Sequence, residues 1–242
     1  MGDALLYVTQ VSPYGTDPVT GALRLAGAHG VLQQSATALA EIADAAGLAF
    51  VHTSDVRQLP ASALEHCRVL ALFTIGETPW SDSQRDMVEA RVKAGKTHIL
   101  GVHSATDSCH GWPAFGRLIG ARFDGHPWTQ QLTIDVVDAA HPATRFLPSP
   151  WSIHDELYVF RELRRDVRVL LRLRPDALDM SRPGARVPEI GFPLAWSFSE
   201  GRGRVFYTAL GHFPAAYENV VYLAHLFGGL KWLLRGDEPL GP

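Results

Sequence analysis

Apolar residues along this chain come in two rhythms, short continuous runs and one-sided helical stripes, and the two alternate. Ala4 to Thr9 (ALLYVT) is a short apolar run that predicts a strand. Gln10 to Gly27 is rich in Gly, Pro, Thr and Ser and predicts a long loop. Leu32, Ala36, Leu39 and Ala43 then fall at i, i+4, i+7 and i+11, one stripe of a helix, with Gly47 placed to stop it. Ala49 to His52 and Val69 to Thr74 predict two more strands, the latter continuously apolar as a strand covered on both faces must be. Ser81-Asp82-Ser83-Gln84 reads as a capping box opening a helix that carries Met87, Ala90 and Ala94 and ends at Gly95. His98 to Val102 is the fourth strand. Strands alternating with helices predict an α/β fold, a parallel sheet with helices on both faces and ligands beyond the carboxyl ends of the strands.

The second half is looser. Trp112 to Ile119 predicts a short helix with proline in its first turn. Leu132 to Val137 alternates as a strand does, and Val167 to Leu173 is another. Pro175 to Pro193 predicts loop. Leu194 to Phe198 and Arg204 to Thr208 flank Glu200-Gly201-Arg202-Gly203, a hairpin. A last helix runs from about Tyr217 to Arg235, with Val220, Leu223, Phe227, Leu230 and Leu234 as its expected buried stripe. These pieces predict extra strands added to a flavodoxin-like core, in a single domain over residues 1–242.

Composition narrows the function. With 242 residues, 46% of them hydrophobic, the chain can bury a core without a disulfide or metal staple. A net charge of -3 with no basic run argues against a nucleic-acid partner. No apolar stretch reaches the roughly 20 residues of a membrane helix, and the start has no signal-peptide pattern. Cys67 and Cys109 form neither a CxxC pair nor a zinc-finger spacing. The expected setting is the cytoplasm. Nothing in the pattern demands or excludes a homo-oligomer.

The chemistry-bearing segment is Gly101-Val102-His103-Ser104-Ala105-Thr106-Asp107, directly after the fourth strand. A sharp strand-to-helix turn at that place exposes one side chain at the sheet edge, as a nucleophile elbow does. Class I amidotransferases carry cysteine there; here the residue is His103, and imidazole cannot form the thioester that glutamine hydrolysis needs. Ser104 and Asp107 can cap a turn as S-x-x-D or bind a ligand. Ser104 and Cys109 are the remaining nucleophile candidates for a hydrolase.

The same segment, then Trp112, Leu118-Ile119-Gly120-Ala121-Arg122-Phe123, and His126-Pro127, resembles the ThuA-like trehalose-utilisation family. Asp138 to Pro142, Asp155-Glu156-Leu157-Tyr158, and Gly203-Arg204-Val205-Phe206-Tyr207 with Leu210-Gly211-His212 match its further elements in order. The resemblance spans about His29 to Trp232. It implies a class I amidotransferase-like sandwich with a mostly parallel central sheet and extra strands in the C-terminal half. It also implies a role in disaccharide use, with 3-keto sugars as substrates. Two places depart from the family pattern: only Gly27-Ala28-His29 matches its early G-F-R-H-like stretch, and Leu157 stands where tryptophan is expected.

His103, His126 and His212 sit at strand ends or in the loops after them, and Asp155, Glu156 and Tyr158 sit in a loop between strands. Three histidines and a carboxylate can bind a divalent metal such as zinc or work as acid and base near neutral pH. The expected catalytic groups are His103, Glu156 and His212. His29, Ser104, Asp107, Trp112, His126, Asp155, Tyr158 and Tyr217 are the expected saccharide contacts, the aromatics by stacking on a pyranose face. His126-Pro127 and His141-Pro142 also read as turn punctuation. His52, His66, His98 and His225 read as structural or exposed, Cys67 as inert packing, and Trp196 as core. The reading is of a carbohydrate-catabolism protein, a sugar-converting hydrolase, lyase or isomerase. The alternative is a non-catalytic sugar-binding or assembly protein on the same fold.

Overall fold

The strands hydrogen-bond in the order β2-β1-β3-β4-β11-β10-β9-β6-β7, a nine-stranded sheet in which the first five run parallel and the rest antiparallel. The strands are β1 (Ala4–Val8), β2 (Ala49–Thr53), β3 (Cys67–Leu72), β4 (His98–Val102), β5 (Arg122–Phe123), β6 (Trp128–Val136), β7 (Trp151–Leu157), β8 (Phe160–Arg161), β9 (Arg168–Leu173), β10 (Pro193–Glu200) and β11 (Gly203–Thr208). β5 and β8 pair separately. This is a computed structural model, and it describes residues 3–15, 22, 30–175 and 178–236. The parallel half has the 2-1-3-4-5 order of flavodoxin-like folds, with β11 as the fifth strand. No helix among the described residues is long and apolar enough to cross a membrane.

Among the described residues five α-helices accompany the sheet: α1 (Leu32–Ala45), α2 (Ala61–Glu65), α3 (Asp82–Lys93), α4 (Pro113–Ile119) and α5 (Val220–Arg235). The capping box at α3 is complete, with Ser81 accepting from the Gln84 N–H and the Gln84 side chain returning to the Ser81 N–H. Pro113 opens α4, and Gly120, at φ 99°, closes it. Alternation along β11 sorts the two layers. Phe206 faces α5, where a Cβ on Gly229 would come within 2.3 Å of its ring. Tyr207 faces α4 beside Gly101, where a Cβ would come within 2.4 Å of Ile119. Trp196 stacks on Tyr207 at 4.2 Å and is fully buried, as its mid-strand place predicts.

Three expectations are corrected. The segment holding Asp155 and Glu156 is β7, paired along its length with β6, rather than a loop. The last helix starts at Val220, where Asn219 caps the Val221 and Tyr222 N–H groups. Its buried stripe is Tyr222, His225, Leu226, Leu230 and Leu233, while Val220 is 76% exposed and Leu223, Phe227 and Leu234 are half-buried. The helix is apolar almost all round, so periodicity alone does not choose the face. Gly228 and Gly229 choose it, because only there can the helix approach Pro142 and Phe206 so closely.

Candidate active site

β4 and β11 are neighbours and parallel, with Val102 opposite Thr208, so the turns that leave the two strands emerge at the same edge. His103 comes directly after β4 with φ 46°, a left-handed conformation that a non-glycine residue holds at a cost of about 1–3 kcal/mol. Two bonds fix it there. The Tyr207 hydroxyl donates to the His103 carbonyl at 2.6 Å, and His103 Nδ1–H donates to the Ala209 carbonyl at 2.8 Å. A carbonyl only accepts, so Nδ1 carries the proton, and Nε2 is the ring nitrogen turned to the site.

That nitrogen meets the loop after β11. His212 Nδ1 lies 3.1 Å from His103 Nε2. Glu156 Oε2 lies 3.5 Å from His103 Nε2 and 3.2 Å from His212 Nδ1. Tyr158 packs over the His103 ring with centroids 4.3 Å apart, and its hydroxyl donates to Nε2 at 2.8 Å. His126, half exposed, puts Nδ1 3.6 Å from Glu156 Oε1. β7 is the far strand of the sheet, so these contacts require the antiparallel half to curl back over the strand ends.

The adjacent carboxylates Asp155 and Glu156 divide the work because β side chains alternate. Asp155 is fully buried and accepts three backbone N–H groups: Gly211 at 2.7 Å, His212 at 3.1 Å and Glu156 at 2.9 Å. Burial pushes its carboxyl above the usual range, against His103 and those donors. Glu156 is buried too, which pushes its carboxyl up, but His103 and His212 beside it outweigh burial and hold it well below the usual carboxylate range. Burial pulls His212 down, while Glu156 more than compensates and raises it. Glu156 is therefore an ionised carboxylate facing an imidazole that favours its proton. Asp155 is a support, and replacing it with alanine strands two buried N–H groups of the His212 loop. Asp155→Ala is expected to destabilise the protein by about 3 kcal/mol, read as a melting temperature lower by about 6–12 °C. A melting curve that matches wild type would mean the loop holds itself.

Other expected contacts fall elsewhere. Ser104 is fully buried, and its hydroxyl has no hydrogen-bond partner among the described residues. It caps nothing, because the 3-10 turn His103–Asp107 is preceded by Val102 with no side-chain cap. Asp107 accepts from the Tyr14 hydroxyl and meets His110 at 3.2 Å. Trp112 is core rather than site: it is buried against Trp80 and Phe115 and donates to Glu89. Tyr217 packs on Tyr222 under the Gly211 turn, with its hydroxyl where a Gly211 Cβ would come within 2.7 Å. Asp155, also expected to touch saccharide, faces backbone instead. His29 lies outside the described residues. Neither alternative nucleophile is prepared. Cys109 is buried, which pushes its thiol up to about 12, and Ser104 has no base beside it. Cys67 is likewise buried and pushed up to about 12.

Sequence reasoning assigned no role to Tyr207, although it holds the His103 carbonyl, or to Phe123, which packs on Tyr158 at 4.6 Å. The signal for Tyr207 was its parity along β11, one face with Trp196 and the elbow. A separate hollow of about 410 Å³, lined by His110, Arg117, Arg122, Arg161 and Arg164 among others, contains none of the clustered residues.

Comparison with known proteins agrees with this architecture. The sequence profile of the ThuA family, described as trehalose utilisation, matches residues 23–233. A solved putative ThuA-like protein from Bacteroides uniformis superposes with a TM-score of 0.73 at 24% identity, over 96% of this chain and 91% of that one. One from Parabacteroides merdae gives 0.72 at 18%, over 98% and 91%. A β-galactosidase from Rahnella sp. R3 gives 0.57 at 14%, over 97% of this chain and 32% of that one. At such identities the solved structures speak for the fold alone. No curated protein matches the sequence.

Proposed function

The chain belongs to the ThuA trehalose-utilisation family, which places it in carbohydrate catabolism, and from that premise we propose that it converts a keto-glycoside by removing a proton next to the sugar carbonyl. The observation that carries this reading is the meeting of His103 Nε2, His212 Nδ1 and a Glu156 oxygen, contributed by three elements distant in sequence. An ionised carboxylate beside a protonated imidazole is a base paired with an acid, the two groups enolisation requires.

In this reading Glu156 takes the proton from the carbon adjacent to the ketone. The electron pair moves into the C–C bond to the carbonyl, and the carbonyl oxygen becomes an enolate. His212, as imidazolium, donates to that oxygen. Returning the proton to a different carbon gives an isomer; expelling a glycosidic oxygen from the neighbouring carbon gives an elimination product, with the proton going to the leaving oxygen. Tyr158, whose hydroxyl meets His103 Nε2, and half-exposed His126, whose Nδ1 faces Glu156, are the neighbouring groups suited to sugar hydroxyls. Glutamine hydrolysis is ruled out by the imidazole at the elbow.

The test is incubation with 3-keto-trehalose and 3-keto-glucosides in D₂O, followed by NMR. The expected result is deuterium at the carbon next to the ketone together with a new sugar product. Saturable sugar binding with neither exchange nor product would overturn the catalytic reading and leave a sugar-binding protein. Treatment with a thiol reagent is expected to change nothing, since both cysteines are buried.

A further inference from the structure

We propose that His103 Nε2, His212 Nδ1 and Glu156 Oε2 are the protein ligands of a divalent transition-metal ion. The three atoms form a triangle with edges of 3.1, 3.2 and 3.5 Å. Three ligands of a tetrahedral ion with bonds of about 2.0–2.1 Å stand about 3.3 Å apart, so one ion fits over this triangle without moving any of them. Two neutral imidazoles and one carboxylate are a donor set used for Zn²⁺ and, with open positions, for other first-row ions.

The surroundings are those of ligands held ready. The proton of His103 is fixed on Nδ1 by the Ala209 carbonyl, which leaves Nε2 as the donor atom once the Tyr158 hydroxyl, 2.8 Å away, turns its hydrogen elsewhere. The backbone of His212 is held by Asp155, whose carboxylate takes the N–H groups of both Gly211 and His212. Gly211 has φ 114°, and a Cβ there would fall 2.4 Å from the Tyr222 hydroxyl, so the turn that delivers His212 admits glycine alone. His103 is itself held in a left-handed conformation by Tyr207. The side of the triangle bordered by half-exposed His126 is where a water or substrate oxygen would complete the coordination.

One carboxylate and two neutral rings leave a divalent ion with a net positive charge. Such a centre polarises a carbonyl and stabilises an enolate. With the ion bound, it rather than the His212 proton would polarise the carbonyl, and the free Glu156 oxygen, Oε1, would take the proton; that role rests on the enolisation reading, but binding of the ion does not.

The test is to strip the full chain with EDTA, dialyse it, and titrate Zn²⁺, Mn²⁺ and Co²⁺ by calorimetry with elemental analysis. The expected result is one ion per chain with micromolar or tighter affinity for at least one of the three. Co²⁺ should give the visible absorption of a low-coordinate nitrogen–oxygen site. His212→Ala and Glu156→Gln should each weaken binding at least 100-fold while circular dichroism stays unchanged, and His66→Ala should leave it unchanged. Absence of binding with excess ion, or binding untouched in both ligand variants, overturns the proposal. If a ligand variant loses its fold, competition between Zn²⁺ and diethylpyrocarbonate for His103 and His212 in wild type decides: no protection by the ion overturns it. Turnover that survives complete metal removal would sink the ion's part in the reaction while sparing the enolisation reading, and a bound ion without turnover would sink that reading while sparing the site.

Discussion

Glu156→Gln is expected to lower turnover of a keto-glycoside by about 10²–10⁴-fold, the contribution typical of a positioned general base. The variant keeps the shape of a side chain that is buried on a β strand, so its melting temperature should move by only a few degrees. It removes the charge that holds His212 protonated, so the His212 imidazole should titrate lower by NMR than in wild type. The two readouts together separate chemistry from folding. If turnover persists within threefold of wild type, Glu156 is not the base and the carbonyl chemistry must be assigned elsewhere. Tyr158→Phe, which keeps the ring over His103 and removes only the hydroxyl, should have a smaller effect, about tenfold.

The second large effect is loss of stability in acid, and it has a specific source. His225 is fully buried among Phe206, Trp151 and Tyr222, and donates Nδ1–H to the Ala143 carbonyl. Burial lowers its pKa to about 4. His98 is buried at the start of β4, accepts the Arg204 N–H on Nδ1, and is lowered to about 3 by burial and by Arg204 and Arg68. A histidine whose folded pKa lies below its unfolded value takes its proton in the unfolded chain first. Stability is therefore complete above about pH 6.5 and falls as pH drops from there toward the folded value. Each such histidine contributes a slope of about 1.4 kcal/mol per pH unit across that window. From pH 6.5 to 4, His225 alone accounts for about 3 kcal/mol. Glu156 acts in the same direction at lower pH, since its depressed carboxyl favours the fold only above the unfolded carboxylate range. His212 acts oppositely: its raised pKa adds stability below pH 6.5 that is lost as pH rises, and its partial exposure keeps that small. Chemical denaturation between pH 7.5 and 4.5 should show a steep decline, and His225→Gln should flatten it. Parallel pH profiles for the two proteins would remove His225 as the cause.

Much of the fold could be read locally. Alternation of strands and helices, the Ser81–Gln84 box, the glycine stops and the hairpin around Gly201 are short-range signals, and β1, β2, β3, β4, α1, α3, α4, β10 and β11 sit where those signals put them. The sharp turn at His103 was legible as well, because a polar run directly after an apolar strand is a local pattern. β5, β8 and α2 escaped because two to five residues carry too little periodicity to register. β7 was read as loop because its Asp155 and Glu156 are both buried, on opposite faces of a strand where the sequence rule expects apolar residues.

The candidate site was half legible. Residue types and order pointed to His103, Glu156 and His212, and resemblance to a family drew them together. Their roles were not written in the chain. Asp155 and Glu156 are neighbours of the same charge, and alternation guarantees only that they point apart. Which of them meets the imidazoles depends on how the antiparallel half bends back over β4 and β11. Trp112 sits nine residues after His103 and was expected beside it, yet the 3-10 turn and α4 carry it into the core.

By itself, then, the amino-acid order determined the layered α/β architecture, the absence of sulfur at the elbow, and the pool of nitrogens and carboxylates available for chemistry. Those come from backbone preferences and side-chain identity, which act over a few residues. The tertiary structure alone decided that three of those groups stand within 3.5 Å of one another, that Asp155 faces backbone N–H groups, and which face α5 buries. Those depend on long-range strand order and on close approaches at glycine, and the free energy of such contacts exists only once residues more than a hundred positions apart have been brought together.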